Sequence, residues 1–392
     1  MDRPLRDVPA HAGSLQASLP AALAGDGPAV RALDPHDPVG AGTGGAARVP
    51  DGVAVVVRTS GSSGRPRDVM LTADALRASA DATAARLGGR GSWLLALPVH
   101  HVAGLQVVVR SLLADRELTT IADGPFRPAL FTEAVARLRA TEGPHRTSLV
   151  PTQLLRVLED PDATAAARSL DAVLVGGAAS SPTLLARARE AGVRVVTTYG
   201  MTETCGGCVY DGEPLDGVEI AVDAEQRVSL TGPVLAAGYL GRPDLDATTF
   251  VDVGGRRWLR TADRGRFDRG QLHVLGRLDD VLVTGGVKVD PLAVETVVAA
   301  HPLVREVCVV GVPDQHWGQS VVAVVVTEGG AQPSLTELRS SVAAALGPAS
   351  APRQVLVVDA LPLRGPGKPD RRAVARTATA LMTQHPPRPG AS

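Results

Sequence analysis

The segment Thr59-Ser60-Gly61-Ser62-Ser63-Gly64-Arg65-Pro66-Arg67 follows a β-branched run at residues 53–57. Its glycines let successive backbone N–H groups turn toward one point, and the hydroxyls of Thr59, Ser60, Ser62 and Ser63 add donors. Together they make a cradle for phosphate. The Gly-Lys-Ser/Thr ending of a Walker A loop is missing, and a Ser/Gly stretch is also what a solvated surface turn looks like. A second group, Thr198-Tyr199-Gly200-Met201-Thr202-Glu203, closes another such run. Tyr199 offers a flat face to a purine, Thr202 a hydroxyl to a phosphate, and Glu203 a hard oxygen to Mg2+. Gly176-Gly177-Ala178 ends a third run and lets a ring approach the backbone. Each of these alone is an ordinary strand-end turn. Asp263 suits two vicinal ribose hydroxyls and Arg277 suits ribose or phosphate, although such a pair by itself is most often a surface ion pair.

The lysines are few. Of 40 Lys+Arg residues only Lys288 and Lys368 are lysines, and the chain has two isoleucines and no asparagine, a bias expected of GC-rich codons. Where a guanidinium serves, this chain uses one, so a surviving lysine marks a place for a compact ammonium. Lys368 stands in Leu361-Pro362-Leu363-Arg364-Gly365-Pro366-Gly367-Lys368, a Gly/Pro loop fit to carry a mobile cation. Cys205-Gly206-Gly207-Cys208 has CxxC spacing, but no second Cys or His pair completes a zinc site, and it reads as a tight packed loop.

Stepping from these residues to what must hold them, short apolar runs at residues 53–57, 93–97, 147–150, 172–175 and 193–197 alternate with stretches of helical period at 73–87, 131–140 and 182–191. That alternation predicts α/β layers with helices flanking a sheet. Residues 219–275 are turn-rich and predict a smaller β-rich subdomain. Beyond Gly276 the order is strand, helix (291–300), strand (304–312), strand (321–327), helix (334–346), strand (354–358). The expected architecture is a large N-terminal α/β domain, residues 1–275, then a small α+β domain, residues 276–383, on a hinge. Residues 384–392, with three prolines, read as a disordered tail. Residues 1–50, rich in Ala, Gly, Pro and Asp, are expected to be irregular with one helix or strand.

A formal net charge of −1 and 3% aromatic residues argue against nucleic acid or an anionic membrane as partner. The first ten residues hold no apolar stretch of signal-peptide type, and the longest apolar run, residues 321–326, is too short to span a bilayer. A cytoplasmic protein is expected.

Taken in order, the motifs from residue 53 to residue 371 resemble the adenylate-forming family of acyl-CoA ligases, luciferases and peptide-synthetase adenylation domains. Within it the chain is similar to the o-succinylbenzoate–CoA ligases of menaquinone biosynthesis, through Leu97-Pro98-Val99-His100-His101-Val102-Ala103-Gly104-Leu105, Thr147-Ser148-Leu149-Val150-Pro151-Thr152-Gln153-Leu154 and the abrupt Thr204-Cys205-Gly206-Gly207-Cys208-Val209-Tyr210-Asp211-Gly212.

The resemblance implies an AMP-forming enzyme using ATP, Mg2+ and coenzyme A. It places Thr59, Ser60, Gly61, Ser62, Ser63 and Gly64 on the β/γ-phosphates. Gly176, Gly177 and Ala178, with Thr198, Tyr199, Gly200, Met201, Thr202 and Glu203, hold adenine, α-phosphate and magnesium. Asp263 binds ribose with Arg277 assisting, His101 lies at the carboxylate pocket, and Lys368 bridges the acyl carboxylate and α-phosphate. Asp279 is the hinge; Gly285, Gly286 and Lys288 line the pantetheine path; a homodimer fits the family. Candidates for the second carboxylate of o-succinylbenzoate are Arg146, His101 and the backbone near Gly206 and Gly207. Three departures stand out. The phosphate loop comes early, at Thr59, leaving little room for an N-terminal subdomain. Arg67-Asp68 replaces the usual Lys-Gly, and Ala262 precedes Asp263. A CoA ligase for another aryl or acyl acid, an enzyme loading a carrier protein, and a dead-site binding protein are the alternatives.

Overall fold

The computed structural model describes residues 2–34, 47–59, 66–121, 124–365 and 367–384. The chain forms two units: Met1–Ala178, Arg187–Thr261 and Phe267–His273 make the first, and Ala179–Ala186, Ala262–Arg266 and Val274–Ser392 the second.

In the first unit a seven-stranded sheet runs in the order Glu213–Pro214, Gly206–Tyr210, Val195–Met201, Ala172–Val175, His145–Leu149, Ser92–Leu95, Thr119–Thr120. The five from Val195–Met201 to Thr119–Thr120 are parallel, and Gly206–Tyr210 turns back antiparallel. Parallel strands covered on both faces show continuous apolar runs instead of alternation. Ala172–Val175 is buried at every position, which is why the sequence announces it. Helices Val102–Leu113, Pro128–Arg139 and Pro151–Leu158 supply cover, each starting just past a strand or loop end.

A six-stranded sheet has the order Gly238–Tyr239, Arg67–Thr72, Val53–Thr59, Ala29–Leu33, Asp2–Pro9, Arg48–Pro50. It corrects the expectation for residues 1–50. Asp2–Pro9 pairs in parallel with Ala29–Leu33, and helix Ala12–Ala24 connects them, burying Leu15, Leu19, Ala22 and Leu23. That is one helical stripe, diluted in the sequence by alanines and by Pro20. Residues 35–46 lie outside the described residues. A third, β-rich sheet contains Glu219–Val222, Arg227–Thr231, Arg256–Asp268 and Phe250–Val253, as expected of that region.

The second unit is built on Val304–Asp314 paired antiparallel with Gly318–Thr327, with Gln354–Val357 added in parallel. Alternate residues of Gly318–Thr327 serve two cores. Val321, Ala323 and Val325 pack with Val294 and Val298 of helix Pro291–Val298 and with Leu338 and Val342 of helix Leu335–Leu346. Val322, Val324 and Val326 pack with Val374 and Ala378 of helix Arg371–Gln384. This last helix was not expected, and it takes in Gln384, the first residue of the tail expected at 384–392; residues 385–392 lie outside the described residues. Among the described residues no helix is long and apolar enough to cross a membrane.

Candidate active site

The motifs of the first unit converge on one edge of the seven-stranded sheet. Ser92–Leu95 leads into Leu97 and His101, His145–Leu149 into Val150 and Gln153, Ala172–Val175 into Gly176, and Val195–Met201 into Glu203. All four are carboxyl ends of parallel strands, the edge at which open α/β sheets bind ligands. The chain leaves Ser92–Leu95 toward Thr119–Thr120 on one side and leaves His145–Leu149 toward Ala172–Val175 on the other. The crevice between Ser92–Leu95 and His145–Leu149 is therefore the topological switch point. Gln153 braces it, donating through Nε2 to Ala96 O at 2.9 Å while its Oε1 accepts from Val150 N at 3.0 Å.

His101 is the residue before helix Val102–Leu113 and makes no side-chain cap. Its ring lies against that of His100, centroids 4.3 Å apart and planes tilted by 50°, and His100 Nε2 stands 3.5 Å from Asp34. Burial, then the neighbouring His100, pull the His101 pKa down to about 4 against the attraction of Asp34. It is a neutral imidazole at pH 7.

Gly176 and Thr198 face each other across neighbouring strands. A Cβ on Gly176 would lie 2.1 Å from Thr198 Oγ1 and 2.8 Å from its carbonyl oxygen, so no side chain fits where the two strand ends meet. Strand Val195–Met201 carries Tyr199, Gly200 and Met201 past an irregularity in its pairing at Tyr199/Gly200. Thr202, Glu203 and Thr204 then form one 3-10 turn, with Thr204 Oγ1 accepting from Met201 N at 2.9 Å. Glu203 Oε1 accepts from the Tyr239 hydroxyl at 2.7 Å. Tyr239 is a site residue that sequence reasoning missed. Its signal was faint: one of three tyrosines, beside Gly238, 36 residues beyond Glu203.

Thr59 ends strand Val53–Thr59 opposite Arg67, and its Oγ1 donates to Arg67 O at 3.3 Å. The two strands bracket the phosphate-type loop; Ser60, Gly61, Ser62, Ser63 and Gly64 lie outside the described residues. The Asp68 departure has a structural explanation. Asp68 accepts from Arg58 Nε at 2.9 Å and from Arg31 Nη1 at 2.7 Å, and Arg31, 3% exposed, also binds Asp7 at 2.7 and 2.9 Å. Burial pushes the Asp68 carboxyl up, but the bonds and charges of Arg58 and Arg31 outweigh it and hold it below the usual carboxylate range.

Arg146 is corrected. It enters at the amino end of strand His145–Leu149, the far edge from Val150, 2% exposed, with Nη1 on Gly89 O at 2.6 Å and Nη2 on Leu87 O at 2.7 Å. A guanidinium spent on two carbonyls at the opposite end of the sheet is structural. Cys205 and Cys208 are wholly buried, and burial pushes the Cys208 thiol up to about 12. The Cys205 carbonyl accepts from Ser79 Oγ and Gln106 Nε2 at 3.2 and 2.8 Å; the loop is packing.

The second unit assembles its own set. Arg277 Nη1 donates to Asp263 Oδ1 at 3.2 Å, while its Nε and Nη2 grip Asp279 at 2.8 and 2.9 Å. Asp263 is 8% exposed. The Lys368 loop is tied at its base: Arg364 N donates to Lys368 O at 2.7 Å and Asp370 N to Pro362 O at 2.8 Å. Lys368 reaches solvent, yet its ammonium is held below the ordinary lysine value by desolvation and by the charges of Arg277 and Arg364, with Asp263 and Asp280 pulling the other way. Arg371, three residues on, anchors the loop to Glu295 at 2.5 and 2.8 Å and to Asp280 at 3.2 Å. Sequence reasoning missed this anchor, which joins residues 76 apart. Gly285 and Gly286 form a two-residue hairpin turn, with φ of 55° and 80°, between Leu282–Thr284 and Val287–Val289. Both angles are positive, as that turn demands, and a Cβ on Gly285 would meet the Trp317 ring at 2.6 Å. Lys288 is exposed beside it.

The model of the AMP-binding enzyme family matches residues 13–238, and that of the AMP-binding enzyme C-terminal domain matches residues 293–368. A probable 2-succinylbenzoate–CoA ligase of Mycobacterium tuberculosis is 47% identical over 336 residues, 84% of this chain and 85% of that protein. Among solved structures, o-succinylbenzoate CoA synthetase (MenE) of Bacillus subtilis, in complex with the acyl-adenylate intermediate OSB-AMP, is 28% identical with a TM-score of 0.69, covering 82% of this chain and 69% of that one. The amide bond synthetase McbA of Marinactinospora thermotolerans is 31% identical with a TM-score of 0.73, covering 90% and 75%. Strand-end loops, a tied lysine loop and both family models together make this chain a member of the AMP-binding enzyme family.

Proposed function

We propose that this chain is an AMP-forming ligase that activates o-succinylbenzoate with ATP and transfers the acyl group to coenzyme A, a step of menaquinone biosynthesis. The observation that carries the reading is the 47% identity to the mycobacterial ligase along 84% of the chain. In the first half-reaction a carboxylate oxygen attacks the α-phosphorus and pyrophosphate leaves, so negative charge gathers on the equatorial and leaving oxygens. In the second, the CoA thiol attacks the acyl carbonyl and AMP leaves.

In this reading the loop from Thr59 to Gly64 receives the β/γ-phosphates, and Gly176 to Ala178 with Thr198 to Thr202 receive adenine and α-phosphate. Asp263 and Arg277 take the ribose. Lys368 bridges acyl carboxylate and α-phosphate; a single preorganised contact of that kind is worth roughly 3–4 kcal/mol. Glu203 would hold Mg2+: Tyr239 uses one of its oxygens, among the described residues the other is left to offer, and Mg2+ takes one or two carboxylates with phosphate and water completing its shell. Bound there, the ion would neutralise phosphate charge. His101, neutral, lines the carboxylate pocket by the switch-point crevice. Asp279 is the pivot between residues 1–275 and 276–383, and Gly285, Gly286 and Lys288 serve the CoA step. We place the enzyme in the cytoplasm, where ATP and CoA are available, as a homodimer on family grounds.

A second reading follows from the McbA likeness, which covers 90% of this chain: the acyl-adenylate is handed to an amine, giving an amide. ATP–pyrophosphate exchange with a panel of acids, followed by product analysis with CoA or amines, decides. Exchange that needs o-succinylbenzoate, and a thioester with AMP as coproduct, are the expected results; ADP as product would refute the mechanism, and amide as the sole product would favour the second reading.

A further inference from the structure

We propose that Tyr239 is the positioning residue for Glu203, fixing its carboxylate in the orientation that receives Mg2+; the proposal rests on reading Glu203 as the magnesium carboxylate. Glu203 is held at two points by one short segment. Its carbonyl accepts from Ala236 N at 2.8 Å, and its Oε1 accepts from the Tyr239 hydroxyl at 2.7 Å. Backbone and side chain of Glu203 are thus both tied to residues 236–239.

Tyr239 itself is fixed. It is 3% exposed, its N–H donates to Asp246 Oδ1 at 2.8 Å, and its ring lies 5.8 Å from that of Phe250. The Tyr239 hydroxyl donates to Glu203 Oε1, and the nearby Thr249 hydroxyl acts on the phenol oxygen as a donor group. A carboxylate that accepts from a rigid buried donor loses its freedom to rotate, and outer partners of this kind set the affinity of a ligand for its metal.

The segment reaches the phosphate hairpin as well. Tyr239 pairs with Val69 and Gly238 with Met70 on strand Arg67–Thr72, which leaves the Thr59 loop, and the Arg67 guanidinium lies 5.8 Å over the Tyr239 ring. One tyrosine therefore couples the backbone that returns from the phosphate loop to the carboxylate that takes the ion.

The test is the full-length protein at fixed ATP, without acid, titrated with magnesium chloride and read as the midpoint of thermal unfolding. Tyr239→Phe, Thr249→Val, Glu203→Gln and the double variant Tyr239→Phe/Glu203→Gln are compared with wild type, and ATP binding in EDTA is measured alongside. Tyr239→Phe keeps the ring and is expected to raise the half-saturating magnesium concentration about tenfold, with ATP binding in EDTA unchanged. Thr249→Val should shift it in the same direction by a few-fold, and the double variant should match Glu203→Gln. Magnesium dependence altered in Glu203→Gln but not in Tyr239→Phe overturns the proposal and leaves the reading of Glu203 standing. No change in Glu203→Gln removes that reading, and the proposal with it. If Tyr239→Phe does not fold, Thr249→Val decides: an unchanged titration there overturns the proposal.

Discussion

Arg277 grips Asp279 through two parallel bonds, Nε to Oδ1 at 2.8 Å and Nη2 to Oδ2 at 2.9 Å, with its third donor on Asp263. The residue proposed as pivot is thereby clamped to the residue proposed to aim at ribose. Asp279→Ala removes only the fork. Because both partners are part-exposed, we expect about 1 kcal/mol or less, read as a few-fold loss in both half-reactions. Asp279→Pro also fixes φ near −65° and deletes an N–H. We expect thioester formation from preformed acyl-adenylate to collapse while pyrophosphate exchange persists. Equal loss of both with Asp279→Pro would remove Asp279 as pivot.

Lys368→Ala should slow adenylation roughly 10²–10³-fold, the size of one lost charge-stabilising contact. Lys368→Arg should also fail, since a planar fork cannot replace one ammonium bridging two oxygens. The lowered pKa adds a pH signature. Adenylation needs the charged form, so wild-type activity should fall along an alkaline limb centred below the ordinary lysine value. Single-turnover kinetics against pH measure it; a normal rate for Lys368→Arg would refute the role.

Burial pulls the folded His101 pKa down to about 4, from about 6.5 when unfolded. The folded state binds fewer protons between those values, so stability is complete above about pH 6.5 and declines as the pH falls toward 4. The thermal midpoint of wild type should therefore fall relative to that of His101→Gln as the pH is lowered from about 7.5 to about 4.5. Parallel curves would show that His101 is not held neutral.

Asp68→Ala should destabilise without touching chemistry. It takes one carboxylate from the buried Arg31 and leaves Asp7 in place, and removing one partner of a buried pair costs at most about 3–5 kcal/mol. We expect a thermal midpoint lower by several degrees, with the KM for ATP within a few-fold. A large rise in KM at unchanged midpoint would place Asp68 on the nucleotide instead.

Much of this was legible in the sequence. Parallel strands such as Ala172–Val175 are apolar at every position, and the turns that follow them need glycine, so both strand and site loop leave local marks. What was hidden involves distance along the chain. Tyr239 finds Glu203 36 residues away, Arg371 finds Glu295 76 away, and Arg31 finds Asp68 37 away; no period or motif encodes such pairs. Residues 2–34 were misread because a helix of alanines with an internal proline hides the stripe of Leu15, Leu19 and Leu23. Arg146 misled for the converse reason. A buried guanidinium satisfied by two carbonyls looks, as a letter, like one waiting for a carboxylate.

Strand Gly318–Thr327 has apolar side chains on both faces. A slip of one residue against its neighbour would exchange one set of valines for another and bury little that is polar, so hydrophobicity alone leaves the register weakly specified. The hairpin turn supplies what the core does not. Asp314 pairs with Gly318, its Oδ1 accepts from His316 N at 2.9 Å and Trp317 N at 3.1 Å, and Gly318 closes the turn at φ 72°. Residues 314–318 thus count off the alignment of the whole second unit, and one inserted residue there would do more harm than several changed valines.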